Sequence, residues 1–291
     1  MLPALIDPVI DAVRNRLGAA LAAGVAGDDG DAKRQRIHAS PGPRWFAEDA
    51  PIRRVHGDAS MFVGGIRTLL LQTLHPLAMA GVAEHSHYRS DPFGRLQRTG
   101  EFLATTTFGT AADAERAVAR VRGVHRRVVG TSPAGRPYAA SDPHLLEWVH
   151  ITEVDSFLRA HQRHGSHPLD AAGCDSYVQQ VGQVAERLGV VDPPQSVAEV
   201  DERLTAFRPE LEGTAQARAA ARFVMFQPPV PVAARPGYGV LAAAAVAMLP
   251  WWARWPLRLP YLPLSEATVV RAGGQAVTSA LRWAMTSPTT P

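Results

Sequence analysis

Three times in this chain a helix-starting signal stands directly ahead of a long run with helical spacing. That punctuation restricts the fold to helices. Ser90-Asp91-Pro92 and Asp142-Pro143 each offer an acid at the N-cap and a proline at the first helical position. Thr110, with Asp113 three residues on, has a capping-box pattern. These signals predict helices over 92–108, 112–129 and 143–165. Met61 to Val82 is strongly apolar but carries His75-Pro76, so it reads as two helices or one kinked helix. Residues 2–25, 174–189, 196–206, 209–226, 239–254 and 265–286 read as further helices, with Gly189 closing the 174–189 segment. Residues 26–52, rich in Gly, Asp and Pro, read as a mobile linker, and 132–137 as a loop. Alternating runs are scarce and no internal repeat is present, so the expected fold is an all-α, single-domain helical bundle. The expected division is an N-terminal helix and linker over 1–44, a central domain over 45–260 and a C-terminal helix over 261–291 that packs on it.

The composition narrows the partners. The 291 residues carry a formal net charge of only +3, with no Lys/Arg run interleaved with aromatics, which argues against nucleic acid. Cys174 is the only cysteine, so no internal disulfide can form; this fits a reducing compartment. Asp7 and Asp11 interrupt the N-terminal stretch and no signal peptide is read, so a cytoplasmic location is expected. The longest apolar run, Val240 to Ala253, contains Pro250 and falls short of the roughly 20 residues a spanning helix needs. A buried helix is the preferred reading. Trp251, Trp252 and Trp255, beside Arg254 and Arg258, leave a peripheral membrane contact as the alternative.

The chemistry rests on polar residues placed among apolar ones. Val118, Val121, His125 and Val128 share one helical face, so His125 points inward with the valines. Taken alone it reads as a hydrogen-bonded core histidine; with Arg122, Arg126 and Arg127 around it, it also suits an iron or zinc. Leu146, His150, Glu153 and Phe157 form a second stripe. His150 and Glu153 then satisfy each other or serve a pocket. Glu84 to Arg89 crowds functional groups into a connector that either lines a pocket or is solvated. Glu84-x-x-His87 and Glu147-x-x-His150 repeat the spacing of carboxylate-bridged di-iron bundles, with Glu101 and Glu153 available as further carboxylates. No Gly-x-Ser-x-Gly elbow, phosphate loop or cysteine cluster is present.

Four stretches together resemble the rubber-oxygenase/MpaB-like family, which includes latex-clearing proteins. They are Leu70 to Pro76, Gly81 to Ser86, Asp91-Pro92 through Thr99, and Trp148 to Glu153. The resemblance covers roughly residues 45–260. It implies an α-helical fold holding one haem b. In latex-clearing proteins the proximal ligand is a histidine with an arginine three residues earlier, which His125 and Arg122 match. The distal Arg-x-x-Lys-Thr of those proteins is matched by Arg95, Arg98 and Thr99, with Arg98 in place of lysine. Arginine stays protonated and has no lone pair for iron, so a lysine-ligated closed state is not expected. Glu84 is the nearest match to the family's proposed base, and His75 and His150 are further candidates for the cofactor pocket. The resemblance implies a haem-dependent oxygenase using dioxygen. The substrate expected is small and lipophilic, and oxidative cleavage of a carbon–carbon double bond is the favoured reaction. The alternatives are a non-haem di-iron enzyme and a non-catalytic haem- or lipophile-binding protein.

Overall fold

The computed structural model describes residues 30–86, 88–228 and 230–285. The helix expected over 2–25 and His87 lie outside them. Helices dominate: α1 (Gly30–Ala39), α2 (Pro51–His56), α3 (Met61–Gln72), α4 (Pro76–His85), α5 (Pro92–Phe108) and α6 (Ala111–His125) precede a small hairpin, β1 (Val129–Thr131) and β2 (Pro137–Ala139). Then follow α7 (Pro143–His164), α8 (Ala171–Leu188), α9 (Val197–Phe207) and a 3-10 turn, Arg208–Glu210. The chain ends with α10 (Ala215–Phe226), α11 (Arg235–Ala247), α12 (Trp251–Leu257), a short π segment, Glu266–Val270, and α13 (Arg271–Met285). The all-α class stands.

The capping signals work as their chemistry requires. The side chains of Asp91, Thr110 and Asp142 accept hydrogen bonds from the backbone N–H groups of Gly94, Asp113 and His144. Each satisfies a donor that the first helical turn leaves open. Pro76 starts α4 after a break at His75, so the 61–82 stretch is two helices. Gly189 closes α8 with a left-handed φ of 114°. Pro250 likewise divides the 239–254 segment into α11 and α12.

Two expectations are corrected. The segment 26–52 is not simply a linker, because Gly30–Ala39 is helical. Lys33 and Arg36 pair with Glu101 on α5 at 3.1 and 3.4 Å. Arg44 donates to the carbonyls of Ile37, His38, Ser40 and Phe108, tying the following turn to the end of α5. The helix predicted to reach residue 129 stops at His125, and the residues after it pair as an antiparallel hairpin, with Gly130 opposite Tyr138.

The core is a seam between α3 and α7. Val63, Leu70 and Leu71 meet Trp148, Ile151 and Val154, all essentially inaccessible. The axes approach closely at Gly64, where a Cβ would lie 2.6 Å from Cδ1 of Phe157. Arg67 crosses this seam fully buried. It pairs with Asp155 at 2.6 Å and donates to Ser156 Oγ and the Met248 carbonyl. Helix α11 covers α3 with Leu241, Ala242, Ala244 and Ala245. Arg282 on α13 bonds Asp58 at 2.8 Å and the His164 carbonyl. Among the described residues no helix is long and apolar enough to cross a membrane.

Candidate functional site

Helices α5 and α6 pack together and are joined by only two residues, Gly109 and Thr110. So short a connection makes them antiparallel neighbours. Arg95 lies 14 residues before Gly109 and His125 lies 15 residues after Thr110. At about 1.5 Å per residue, both sit roughly 20 Å from the turn, at the same open end of the pair. The α5–α6 pair joins the bundle through α2 and α8, and the β1–β2 hairpin packs on α4.

Two of the buried polar groups without partners, His125 and Arg95, lie at this end; others, such as His75, His161 and His164, lie elsewhere. His125 is half-buried, its Nδ1 is fully enclosed, and neither ring nitrogen has a hydrogen bond among the described residues. Burial lowers its pKa, so the imidazole is neutral at physiological pH. Arg95 has its Nη1 buried without a partner. Burial and the like charge of Arg98 lower the pKa of Arg95, and Tyr88 beside it acts in the opposite direction. Away from this pair, on α7, His150 is buried with Nε2 unpaired, and desolvation lowers its pKa to about 4. Glu153, one turn further, has no hydrogen bond to its carboxyl among the described residues, and burial raises its pKa to about 7. His150 and Glu153 therefore do not satisfy each other, which corrects the structural half of that reading.

The other sequence-derived candidates lie differently. Arg98 and Thr99 are exposed, and Arg98 pairs with its own helix cap, Asp91, at 3.1 Å. Arg122 is exposed and donates to the Arg187 carbonyl at the end of α8. Glu84 is mostly exposed and accepts a short hydrogen bond from the Tyr138 hydroxyl, while His85 Nε2 is 3.2 Å from that oxygen. Burial, then Glu84, raises the Tyr138 pKa to about 12. Gly130 is required here, because a Cβ would overlap the Tyr138 hydroxyl. Val128, three residues after His125, lies against Gly81, so the end of α4 closes on the same region. His75 is at the opposite end of α4, about 15 Å away for a ten-residue helix, and is not brought to His125.

The di-iron arrangement is not assembled among the described residues. Glu147 pairs with Arg203 at 2.7 Å, Glu101 with Lys33 and Arg36, and Glu84 with Tyr138.

One network escaped the sequence. His56 on α2 places Nδ1 2.8 Å from Thr107 Oγ1 and Nε2 3.2 Å from the Tyr177 hydroxyl. Burial lowers the His56 pKa to about 3 and raises that of Tyr177, and Glu153 adds to the latter. Thus α2, α5 and α8 are locked together beside the Glu153 carboxyl. The residues come from segments up to 121 positions apart, so no local pattern marks them.

A cleft of about 300 Å³ lined by Arg89, Ala219, Arg222, Phe223 and Gln227 opens near the start of α5. Tyr88 meets Phe223 edge-on across it, with ring centroids 5.4 Å apart.

The open end of the α5–α6 pair thus carries a half-buried, unpaired His125 and an unpaired Arg95, while His150 and Glu153 lie on α7, with Glu153 beside the Tyr177 lock. The chain belongs to the family described as ER-bound oxygenase mpaB/B'/Rubber oxygenase, catalytic domain, which it matches over residues 53–283. It is also similar to the uncharacterized proteins Mb2261 of Mycobacterium bovis and Rv2237 of Mycobacterium tuberculosis. Each is 33% identical over 111 residues, a segment that is 37% of this chain and 43% of the relative. The match therefore spans less than half the length of those relatives. No solved structure matches the chain.

Proposed function

We propose that this chain is a haem b-dependent oxygenase that uses dioxygen on a small lipophilic substrate, with oxidative cleavage of a carbon–carbon double bond as the favoured reaction. One observation carries the reading: a neutral, unpaired His125 and an unpaired Arg95 share one end of a helical hairpin, in a chain of an oxygenase family. Orphaned buried polar atoms are uncommon and call for a partner. Haem fits these residues because it offers a metal to an imidazole and acidic groups to a guanidinium. His125 would hold the iron and Arg95 would face the acidic groups or the oxygen. Haem, when bound, supplies the redox chemistry with dioxygen.

The protein's own part is binding and proton handling. Arg95 keeps a fixed positive charge in a half-buried setting, where preorganised donors stabilise developing negative charge most effectively. His150 stays neutral and can donate from one nitrogen and accept at the other. Glu153 has a pKa of about 7, so its carboxyl can gain or lose a proton in the working pH range. Arg98 cannot ligate iron, and its pairing with Asp91 directs it to the rim. Trp251 and Trp255 are 69% and 85% exposed, enough for a peripheral membrane contact through which a lipophilic substrate would arrive.

The deciding experiment is the visible spectrum and iron content of the purified chain after haem supplementation. A Soret band with stoichiometric iron, lost in His125→Ala and weakened in Arg95→Ala, is the expected result. Failure of wild-type chain to take up haem would sink the reading. Haem uptake without oxygen consumption on olefinic lipids would leave a binding protein.

A further inference from the structure

The far end of α4 gathers a second set of side chains. His75, His144 and Glu210 come from the α4 cap, the first turn of α7 and the 3-10 turn after α9. One donor atom from each lies within 4.8 Å of the others. His144 Nε2 is 2.9 Å from both Glu210 oxygens, and His75 Nε2 is 3.5 Å from Oε2.

The fold builds this cluster on purpose-made supports. Pro76 and the N-cap geometry fix His75, which is 1% exposed and touches the Trp148 and Phe207 rings. His144 stacks on Phe207 with centroids 4.5 Å apart. The Glu212 N–H donates to the Leu74 carbonyl at 2.8 Å, which holds the Glu210 turn beside His75. An ion pair between His144 and Glu210 explains only part of this arrangement. It leaves His75 Nε2 fully buried and aimed into the cluster, with only the long 3.5 Å approach to Glu210 Oε2.

We propose that His75, His144 and Glu210 form a binding site for a divalent transition metal of the zinc class, separate from His125. Two imidazoles and one carboxylate are a ligand set zinc accepts, with a fourth position left for water. Bonds of 2.0–2.1 Å at tetrahedral angles put ligand atoms about 3.3 Å apart, within the spread found here. The half-exposed His144 and Glu210 give the ion a path from solvent. Coordination at Nε2 moves the His75 proton to Nδ1 and gives up the 3.4 Å contact from the Ala78 N–H, the weak member of this set. In return the metal staples the Arg208–Glu210 turn to the starts of α4 and α7. That turn also borders a cleft of about 480 Å³ lined by Leu74, Arg208, Leu211, Trp251, Trp252 and Trp255.

The test is calorimetric titration of the untagged full chain with zinc(II), with cobalt(II) absorption as a second reading. Wild type should bind one zinc at high affinity, gain a higher Tm, and show the visible bands of four-coordinate cobalt. His144→Ala and Glu210→Gln, both at half-exposed positions, should each lose at least about tenfold in affinity. His167→Ala, an exposed histidine outside the cluster, should not. His125→Ala should retain the zinc, and His144→Ala should retain any Soret band, so this site and the haem reading can fail separately. Zinc binding that is equal in all these variants, or no zinc-dependent rise in wild-type Tm, would overturn the proposal.

Discussion

Arg67 and Arg95 are both drawn into the protein on helices, and they are treated in opposite ways. Arg67 crosses the α3–α7 seam with Asp155, Ser156 and the Met248 carbonyl around it. Arg254 repeats the pattern, bonded to Glu266 and to the carbonyls of Ala247 and Leu249 at the end of α11. Arg95 has a buried Nη1 and no partner, and His125 at the same end has none either. A buried charge with partners holds a fold in one arrangement; one without partners calls for an explanation, of which a bound ligand is one. The seam therefore reads as the structural part of this molecule, and the α5–α6 end is the part proposed to bind a ligand.

The largest effect should come from attacking the seam. Arg67→Ala takes from Asp155 its buried partner, leaving only the half-exposed Arg159, and takes the donor from Ser156 Oγ and the Met248 carbonyl; loss of one member of a buried pair destabilises by about 3 kcal/mol or more. Arg95→Ala should change stability by less than about 1 kcal/mol in haem-free protein, since no protein partner is lost. Urea denaturation of both variants checks this. Equal losses would erase the distinction between the two regions. Gly64→Ala tests the same seam sterically. Its Cβ would meet Phe157 at 2.6 Å, and overpacking of this kind costs about 1–3 kcal/mol.

Much of the seam and little of the site's surroundings could be read from the sequence. Helix starts are local: Asp91, Thr110 and Asp142 cap residues two or three positions on, so residue type and spacing suffice. Inward-facing His125 and His150 were legible for the same reason, from helical periodicity. Arg98 and Thr99 were not, because a motif does not say how its helix is turned toward solvent, and both emerge on the open side of α5. The His56–Thr107–Tyr177 lock and the His75–His144–Glu210 cluster each join distant segments, so only packing reveals them. The 26–52 segment misled because composition cannot show that Arg44 gathers four carbonyls.

The pH response separates the regions more finely. His56 and His150 are held neutral, with pKa values lowered to about 3 and about 4. Their unfolded forms take up protons below about pH 6.5, so stability should fall as pH drops from there toward 4. Glu153 acts in the opposite direction. Its native pKa of about 7 exceeds the unfolded value, so it destabilises increasingly as pH rises from about 4.5 through 7, and fully above. Glu153→Gln should therefore raise the Tm of haem-free protein by a few degrees at pH 8 and leave it unchanged at pH 4.5. A gain that is equal at both values would mean that the carboxyl is not held in its protonated form by burial.

The smallest effect concerns the turn that brings the two unpaired side chains to one end. Thr110 Oγ1 accepts from the Asp113 N–H at 3.2 Å and donates to its carboxylate at 2.8 Å. Thr110→Ala removes this cap, worth about 1 kcal/mol. Since α6 gains its direction from that turn, the loss should appear first as faster hydrogen exchange at the start of α6, with the α3–α7 seam unaffected. Haem affinity should fall only slightly, because His125 sits at the other end of α6, where packing on α8 still positions it. A Thr110→Ala variant that lost haem as completely as His125→Ala would show that the hairpin turn, and not the packing at its open end, sets the geometry of the site.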